Sequence, residues 1–269
     1  MDAIGIMYHD IVSDGRWNSS GFPGAGADVY KLSSNRFGRH LEMLSEHNSR
    51  AVLAGSDDEW GAANPVYITF DDGGQSGYTV AADMLEKYGW RGHFFVATNF
   101  IGNAGFLTAT QIRELHERGH VVASHSHTHP TRMSYCRRDQ LLTEWEISVA
   151  KLQDIIGCPV TAASVPGGFF SKAVGETAAE CGIRILFNSE PVLSQYHIDG
   201  CRIIGRFTVQ QNISEREFDA LIRGIYSYRL REYLRWNSKK AAKRLGGSLY
   251  LDVQKRIFAM RQQGQNENS

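Results

Sequence analysis

The stretch that decides the fold is VYITFDDG, residues 66–73, a short apolar run that ends in two aspartates and a glycine. A run rich in β-branched and aromatic residues predicts a buried strand followed by a polar turn. Similar runs lie at about residues 3–8, 93–98, 120–124, 161–165, 183–187 and 201–205. Patterns of helical period lie between them, at about residues 34–48, 76–88, 108–118, 137–156 and 171–181. This alternation predicts an α/β fold with a mostly parallel sheet, closed as a barrel or open and doubly wound.

Signals at the element ends agree with these helices. Thr108 is a candidate N-cap, and a glycine follows four of the helices, at positions 89, 119, 157 and 182. Residues 13–30 are rich in glycine and serine, which predicts a long surface loop. Beyond Ser214 the pattern is again helical, with one apolar face made of Phe218, Leu221, Ile222 and Ile225.

Polar side chains follow the predicted strands at their carboxyl ends, where parallel α/β folds form their ligand sites. Asp71 and Asp72 follow one strand, and SHSHTHP, residues 124–130, follows another. Two adjacent carboxylates at a buried strand end repel each other unless a cation neutralises them. One aspartate and two histidines form a common ligand set for a divalent metal. The alternatives are a plain Asp-Gly turn and an exposed polar stretch, but Pro130 disfavours a helix at His129.

Composition describes an ordinary globular protein, with 42% hydrophobic and 22% charged residues in 269. Residues 1–210 carry 17 Lys and Arg against 23 Asp and Glu, whereas residues 211–269 carry 12 against 6. We therefore predict one domain over 1–210, which carries the candidate metal ligands, and a basic helical extension over 211–269. The extension is interpreted as a solvated helical face or as a contact with an anionic membrane surface or polymer. The N-terminus lacks the features of a signal peptide, so a cytoplasmic location is expected.

The two metal motifs resemble those of the polysaccharide deacetylases of carbohydrate esterase family 4. TFDDG matches the first motif, and the five residues from His125 to His129 match the second. The resemblance implies a distorted (β/α)7-type barrel. It also implies that Asp71 is the general base and that Asp72, His125 and His129 bind the metal. His127 is then left without a metal role, in packing or in a hydrogen bond that supports the site.

Two family features are missing from the sequence. The third motif has no arginine in residues 164–168, and we expect Arg206 to replace it; Gly167 falls where the family uses a backbone N–H in its oxyanion hole. The late Leu-x-His motif, which supplies the general acid, is also absent. IMYHDI, residues 6–11, resembles the opening of poly-N-acetylglucosamine deacetylases, so His9 is the expected acid, with a packed strand-end histidine as the alternative.

The implied activity is metal-dependent removal of an N-acetyl group from an amino sugar in surface-polysaccharide biosynthesis. Zn²⁺ is the expected metal, and Co²⁺, Ni²⁺ or Mn²⁺ would suit the same ligands. We expect a nucleotide-linked or lipid-linked sugar as substrate and no nucleic-acid partner, and the oligomeric state is left open. Hydrolysis of a cyclic imide or ureide and an inactive carbohydrate-binding role are the alternatives.

Overall fold

The computed structural model describes residues 3–238. The strands in this part of the chain are β1 (Ile4–Tyr8), β2 (Ile11–Val12), β3 (Leu32–Ser33), β4 (Arg50–Ala51), β5 (Pro65–Phe70), β6 (His93–Val96), β7 (Val121–Ser124), β8 (Ala162–Ser164), β9 (Ile185–Phe187), β10 (Tyr196–Ile198), β11 (Cys201–Ile204) and β12 (Phe207–Thr208). The α-helices are α1 (Ala25–Asp28), α2 (Ser34–Glu46), α3 (Ala82–Glu86), α4 (Ala109–Glu117), α5 (Arg138–Ile156), α6 (Lys172–Glu180) and α7 (Glu215–Ile222), and residues 226–238 are also helical. A π-turn, Gly77–Ala81, precedes α3, and short 3₁₀ turns occupy Trp17–Ser19, Asp57–Glu59, Thr98–Phe100, Met133–Tyr135 and Pro166–Gly168.

The main sheet is a curled, mostly parallel sheet whose strand order is β10-β11-β9-β8-β7-β6-β5-β1-β12. Only the pair β10 and β11 is antiparallel, and β4 adds to β5. The segment 201–208 bridges the two ends of the curl, since β11 pairs with β9 and β12 pairs with β1. Seven positions therefore go around the sheet, and the predicted distorted (β/α)7 barrel is confirmed.

All seven predicted strands are present, with ends shifted by at most two residues. Four of the predicted helices agree equally well, and the fifth, predicted at 76–88, is divided into the π-helical turn Gly77–Ala81 and α3. Thr108 caps α4 with a complete capping box, and the four predicted stop glycines have positive φ. The interior of the barrel holds a compact apolar cluster that includes Tyr67, Phe95 and Phe187, while a larger cluster packs between the sheet and the outer helices.

The region after Ser214 departs from the predicted single helical face. Phe218, Leu221 and Ile222 are buried as expected, but Ile225 is exposed. The physical reason is that α7 ends at Ile222 and Gly224 adopts a left-handed φ of 69°, which breaks the helical period before the helix at 226–238. The ring of Phe218 stacks on His40 of α2 at 3.8 Å, so α7 packs on the barrel domain.

The predicted boundary at residue 210 stays a prediction, and the end of the basic run beyond residue 238 lies outside the described residues. Within residues 3–238, the helices are too short or too polar to cross a membrane.

Candidate metal centre

A compact group of one carboxylate and two imidazoles lies at the carboxyl ends of the strands. Asp72 follows β5, and its Oδ1 is 3.3 Å from Nε2 of His125 and 3.2 Å from Nε2 of His129. The ligand atoms of the three residues all lie within 4.8 Å of one another. Two imidazoles and a carboxylate facing one point are a donor set that fits a divalent cation such as Zn²⁺. The structure thus brings together the three residues that the sequence predicted as ligands.

The local environment orients His125 toward Asp72. Nδ1 of His125 is 2.5 Å from Oγ of Ser164 and 3.2 Å from the carbonyl oxygen of the same residue, which lies at the end of β8. A hydrogen bond at one ring nitrogen directs the other nitrogen toward the candidate site. Ser164 was not predicted to contact a metal ligand. Its position at the carboxyl end of a predicted strand, in the third motif, could have indicated this contact.

Glu144 of α5 holds the loop between the two histidines. Its Oε2 accepts hydrogen bonds from the backbone N–H groups of His127 and Thr128, at 2.8 and 2.7 Å. His127 Nδ1 is 2.9 Å from Oγ1 of Thr98, outside the group of three donor side chains. His129 has a left-handed φ of 58°, consistent with the non-helical geometry expected before a proline.

Asp71, the neighbour of Asp72, faces a buried arginine. Nη1 and Nη2 of Arg206 donate to Oδ1 and Oδ2 of Asp71 at 2.7 and 2.8 Å, which is a bidentate pair. Arg206 is fully buried and also donates to Oγ1 of Thr69 at 2.9 Å and to the carbonyl of Asn188 at 3.0 Å. The structure therefore places Arg206 against Asp71, where the sequence analysis expected a replacement for the missing arginine.

The pKa values of the two aspartates are both lowered, mainly by different neighbouring residues. Burial raises the pKa of Asp71, but the charge and hydrogen bonds of Arg206, together with the charges of His125 and His9, leave that pKa below its ordinary value. Burial also raises the pKa of Asp72, and hydrogen bonds from His125 and His129 bring it well below the ordinary value. For His129, burial lowers the pKa, but the hydrogen bond to Asp72 and the charges of Asp72 and Asp71 together leave it raised. Both carboxylates are therefore ionised at neutral pH.

His9 lies at the end of β1 and lines the same cavity as the two aspartates. Its ring is 4.9 Å from the ring of Tyr30, and its Nδ1 is buried with no hydrogen-bond partner among residues 3–238. The charge of His9 contributes to the lowered pKa of both Asp71 and Asp72, although burial is the largest influence on each. His9 thus lines the cavity beside the two aspartates, at the strand end where it was predicted to lie, and its role as the acid stays a prediction.

The loop at residues 13–30 forms a wall of the site and contains two short helical turns, Trp17–Ser19 and α1. Asp10 ties it down, since Oδ1 of this buried carboxylate accepts from Oγ of Ser20 at 2.6 Å and from Oγ of Ser76 at 2.9 Å. Burial raises the pKa of Asp10. The sequence analysis located Asp10 at a strand end but gave it no role, because its serine partners are 10 and 66 residues away.

Gly167 and Gly168 follow β8 and border the cavity. Their φ angles are 64° and 69°, a left-handed conformation that favours glycine. A Cβ at Gly167 would also lie 2.8 Å from the carbonyl oxygen of Thr131. Only glycine fits this position without strain, so Gly167 borders the cavity through its backbone alone.

The cavity around these residues has a volume of about 890 Å³. The candidate ligands and Asp71 lie on one side of it. The loop at residues 13–30 and the helix at 226–238 line other sides, the latter through Tyr228, Glu232, Arg235 and Trp236. This volume lies in the upper part of the range of pockets that bind small organic ligands.

Comparison with known proteins finds similarity to one family over the part of the chain that contains Asp71, Asp72, His125 and His129. The profile of the family described as Polysaccharide deacetylase matches residues 60–186. The chain is 25% identical over 223 residues to "Putative polysaccharide deacetylase YxkH" of Bacillus subtilis, covering 81% of this chain and 75% of that protein. It is 27% identical over 152 residues to "Peptidoglycan-N-acetylmuramic acid deacetylase PdaA" of the same organism, covering 56% of this chain and 54% of the relative.

Among solved structures, the Streptococcus pyogenes deacetylase PplD in complex with acetate superposes with a TM-score of 0.67. The sequence identity is 21%, and the superposition covers 80% of this chain and 95% of the other. At this level of identity the likeness is one of fold, and it agrees with the barrel described above.

Proposed function

Residues 60–186 form a polysaccharide deacetylase domain, and from that premise we propose that the protein is a metal-dependent hydrolase that removes the N-acetyl group of an amino sugar. One observation carries the proposal: two adjacent aspartates differ in their nearest partners. Asp72 lies 3.3 and 3.2 Å from two imidazoles, whereas Asp71 pairs with Arg206 at 2.7 Å and is 4.0 Å from Nε2 of His125. This difference supports one carboxylate as a ligand and the other as a base.

The proposed reaction is hydrolysis of an amide, in which water attacks the acetyl carbon and the C–N bond breaks to give acetate and a free amine. A divalent cation held by Asp72, His125 and His129 would polarise the acetyl carbonyl and lower the pKa of water. Asp71, ionised because Arg206 lowers its pKa, accepts the proton of the attacking water.

Three other residues complete the proposed site. His9 delivers a proton to the departing amine, and the backbone N–H of Gly167 donates to the oxygen on which negative charge develops. Arg206 acts as a positioning residue, because its bidentate contact holds both oxygens of Asp71.

For the substrate, we infer an amino sugar carried on a nucleotide or a lipid, used in the synthesis of a surface polysaccharide by an enzyme that works in the cytoplasm. The cavity of about 890 Å³ supports a ligand larger than a single acetylated sugar. Zn²⁺ is the proposed metal, with Co²⁺, Ni²⁺ and Mn²⁺ as the other ions that suit this donor set.

The test combines metal analysis with acetate release. The chelated protein is reloaded separately with Zn²⁺, Co²⁺, Ni²⁺ or Mn²⁺, and acetate is measured with N-acetylglucosamine oligomers and with nucleotide-linked N-acetylglucosamine. We expect one bound ion per chain and acetate release that Asp71→Asn abolishes while the ion is retained. Metal binding without acetate release from any of these sugars, or ring-opening hydrolysis of a cyclic imide instead, would overturn the proposal.

A further inference from the structure

The helix at residues 226–238 has two opposite faces of different character. Four of its side chains line the catalytic cavity: Tyr228, Glu232, Arg235 and Trp236. Four large apolar or aromatic side chains on the same helix are exposed, with 40% to 76% of their surface accessible: Tyr226, Leu230, Tyr233 and Leu234. Exposed apolar side chains that lie together on a surface indicate a site of interaction with another molecule.

Helical geometry shows that the exposed side chains form one stripe. At about 100° per residue, Tyr226, Leu230, Tyr233 and Leu234 fall within an arc of about 100°, centred on the side opposite the cavity. An apolar arc of this width is what a helix uses to bury one face. Here the cavity side already contacts the protein, so the helix has a second burial face that the described residues leave exposed.

The charged residues near this stripe indicate which kind of surface would bind it. Residues 229–244 contain seven Lys and Arg against one acidic residue, Glu232. In the described part of this run, Arg231 lies beside the stripe, 2.9 Å from Oε1 of Glu217, and Nη1 of Arg235 is 3.0 Å from Oε1 of Glu232. Helices that lie in the interface of an anionic membrane typically combine leucines, interfacial aromatic residues such as tyrosine, and an excess of basic residues. The helix at 226–238 and the basic run have this composition.

We propose that the outward face of helix 226–238 docks on an anionic lipid surface, with the helix lying in the plane of the interface. Charge complementarity favours this occupant over a second copy of the chain, whose matching face would bring two basic runs together. No helix within residues 3–238 could cross a membrane, so the contact is peripheral.

The consequence for catalysis rests on the proposed function. Because the opposite face of the same helix lines the cavity, docking would hold the site beside the lipid surface. An amino sugar attached to a membrane lipid could then enter the cavity without leaving the membrane. Docking would therefore position a lipid-linked substrate at the cavity. Because Leu230 and Leu234 are outside the cavity lining, replacing them should leave hydrolysis of soluble sugars unchanged.

The test is co-sedimentation of the full chain with vesicles of phosphatidylcholine alone and of phosphatidylcholine with phosphatidylglycerol. We expect binding only to the anionic vesicles, weaker at high salt, and a partition coefficient at least about tenfold lower for Leu230→Glu/Leu234→Glu. The matched control is Ile147→Glu, which changes a similarly exposed apolar side chain on α5. Circular dichroism and thermal unfolding show whether each variant is folded.

Equal vesicle binding by the double variant and the wild type would overturn the proposal, as would an absence of binding to anionic vesicles. If sizing shows a dimer that Leu230→Glu/Leu234→Glu dissociates, with no vesicle binding, the face is a self-association surface and the lipid proposal is wrong. Acetate release from soluble sugars, measured without vesicles, reports on the proposed function separately. Binding without hydrolysis refutes the enzyme assignment alone, and hydrolysis without binding refutes the lipid contact alone.

Discussion

Replacing Arg206 by methionine perturbs the contact on which the proposed base depends. Methionine keeps an unbranched chain that can pack between Phe95 and Phe187, whose rings lie 5.4 and 5.7 Å from the guanidinium. It removes every donor of the guanidinium. Among the described side-chain hydrogen bonds to Asp71, only that from Oγ of Ser164, at 3.3 Å, would remain. The variant therefore leaves a buried carboxylate without its main partner.

The structure sets the size of the effect. Arg206 and Asp71 expose 0% and 3% of their side chains, so neither charge is relieved by water. Removing one partner of a buried ion pair costs about 3–5 kcal/mol in the free energy of unfolding. Thr69 and Asn188 each lose a hydrogen bond from the same guanidinium, but the carbonyl of Asn188 and the hydroxyl of Thr69 are neutral and cost less. We expect a loss of about 4 kcal/mol for Arg206→Met at neutral pH.

Urea denaturation with excess chelator measures this loss without a contribution from bound metal. Asp71→Asn and the double variant Asp71→Asn/Arg206→Met complete a double-mutant cycle. Because the two charges compensate each other, the double variant should be less destabilised than the sum of the single variants by at least about 1.5 kcal/mol. Effects that add to within about 0.5 kcal/mol would refute the coupling between Arg206 and Asp71.

Further predictions concern other residues of the candidate site and the buried His40. His9→Ala should keep its metal while acetate release falls by on the order of a hundredfold, and turnover close to that of the wild type would exclude His9 as the acid. Asp72→Ala and His125→Ala should lose the metal, whereas His127→Ala should keep most of it; elemental analysis of dialysed protein decides this. Burial, helped by Arg36, lowers the pKa of His40 to about 3, below the ordinary value of 6.5. The unfolded chain therefore binds a proton at His40 more readily than the folded protein does. As a result, the free energy of unfolding is unaffected by His40 above pH 6.5 and decreases as the pH falls toward 3. At pH 5 the loss is ~2 kcal/mol, so His40→Gln should weaken the dependence of urea stability on pH between 7 and 5, and an unchanged dependence would contradict the assignment.

The barrel was predictable because its strands are short, apolar and bounded by turn residues, as VYITFDDG shows. The unpredicted strands have two residues each in β2, β3, β4 and β12 and three in β10, too few for alternation or an apolar run to be recognised. They form because tertiary structure brings a partner strand beside each of them: β2 and β3 pair with each other, and β4 pairs with β5. The exposed Ile225 was misplaced for a related reason, since helical period alone gives no sign that Gly224 ends the pattern.

Within the site, the predictable residues were those at strand ends. Asp72, His125 and His129 are close in space because parallel strands deliver their carboxyl ends to one rim. Glu144 and Ser164 were not predicted to support this rim. Glu144 lies inside the long helix α5, where an acidic residue is ordinary, and its contact with the backbone of His127 depends on how that helix packs on the sheet. The spacing of residues along the sequence does not predict such contacts.

The placement of Arg206 explains how the barrel keeps an arginine on Asp71 without one in residues 164–168. Around the barrel, β8 lies three strands from β5 in one direction, and the closing segment 201–208 lies two strands away in the other. A long side chain from either place can cross the interior to reach the end of β5. Ser164, in the segment that lacks the arginine, instead contacts Nδ1 of His125 through its Oγ. The missing arginine and the contact of Ser164 are therefore parts of one arrangement, in which Arg206 pairs with Asp71, the proposed base, and a small residue contacts His125, a proposed metal ligand.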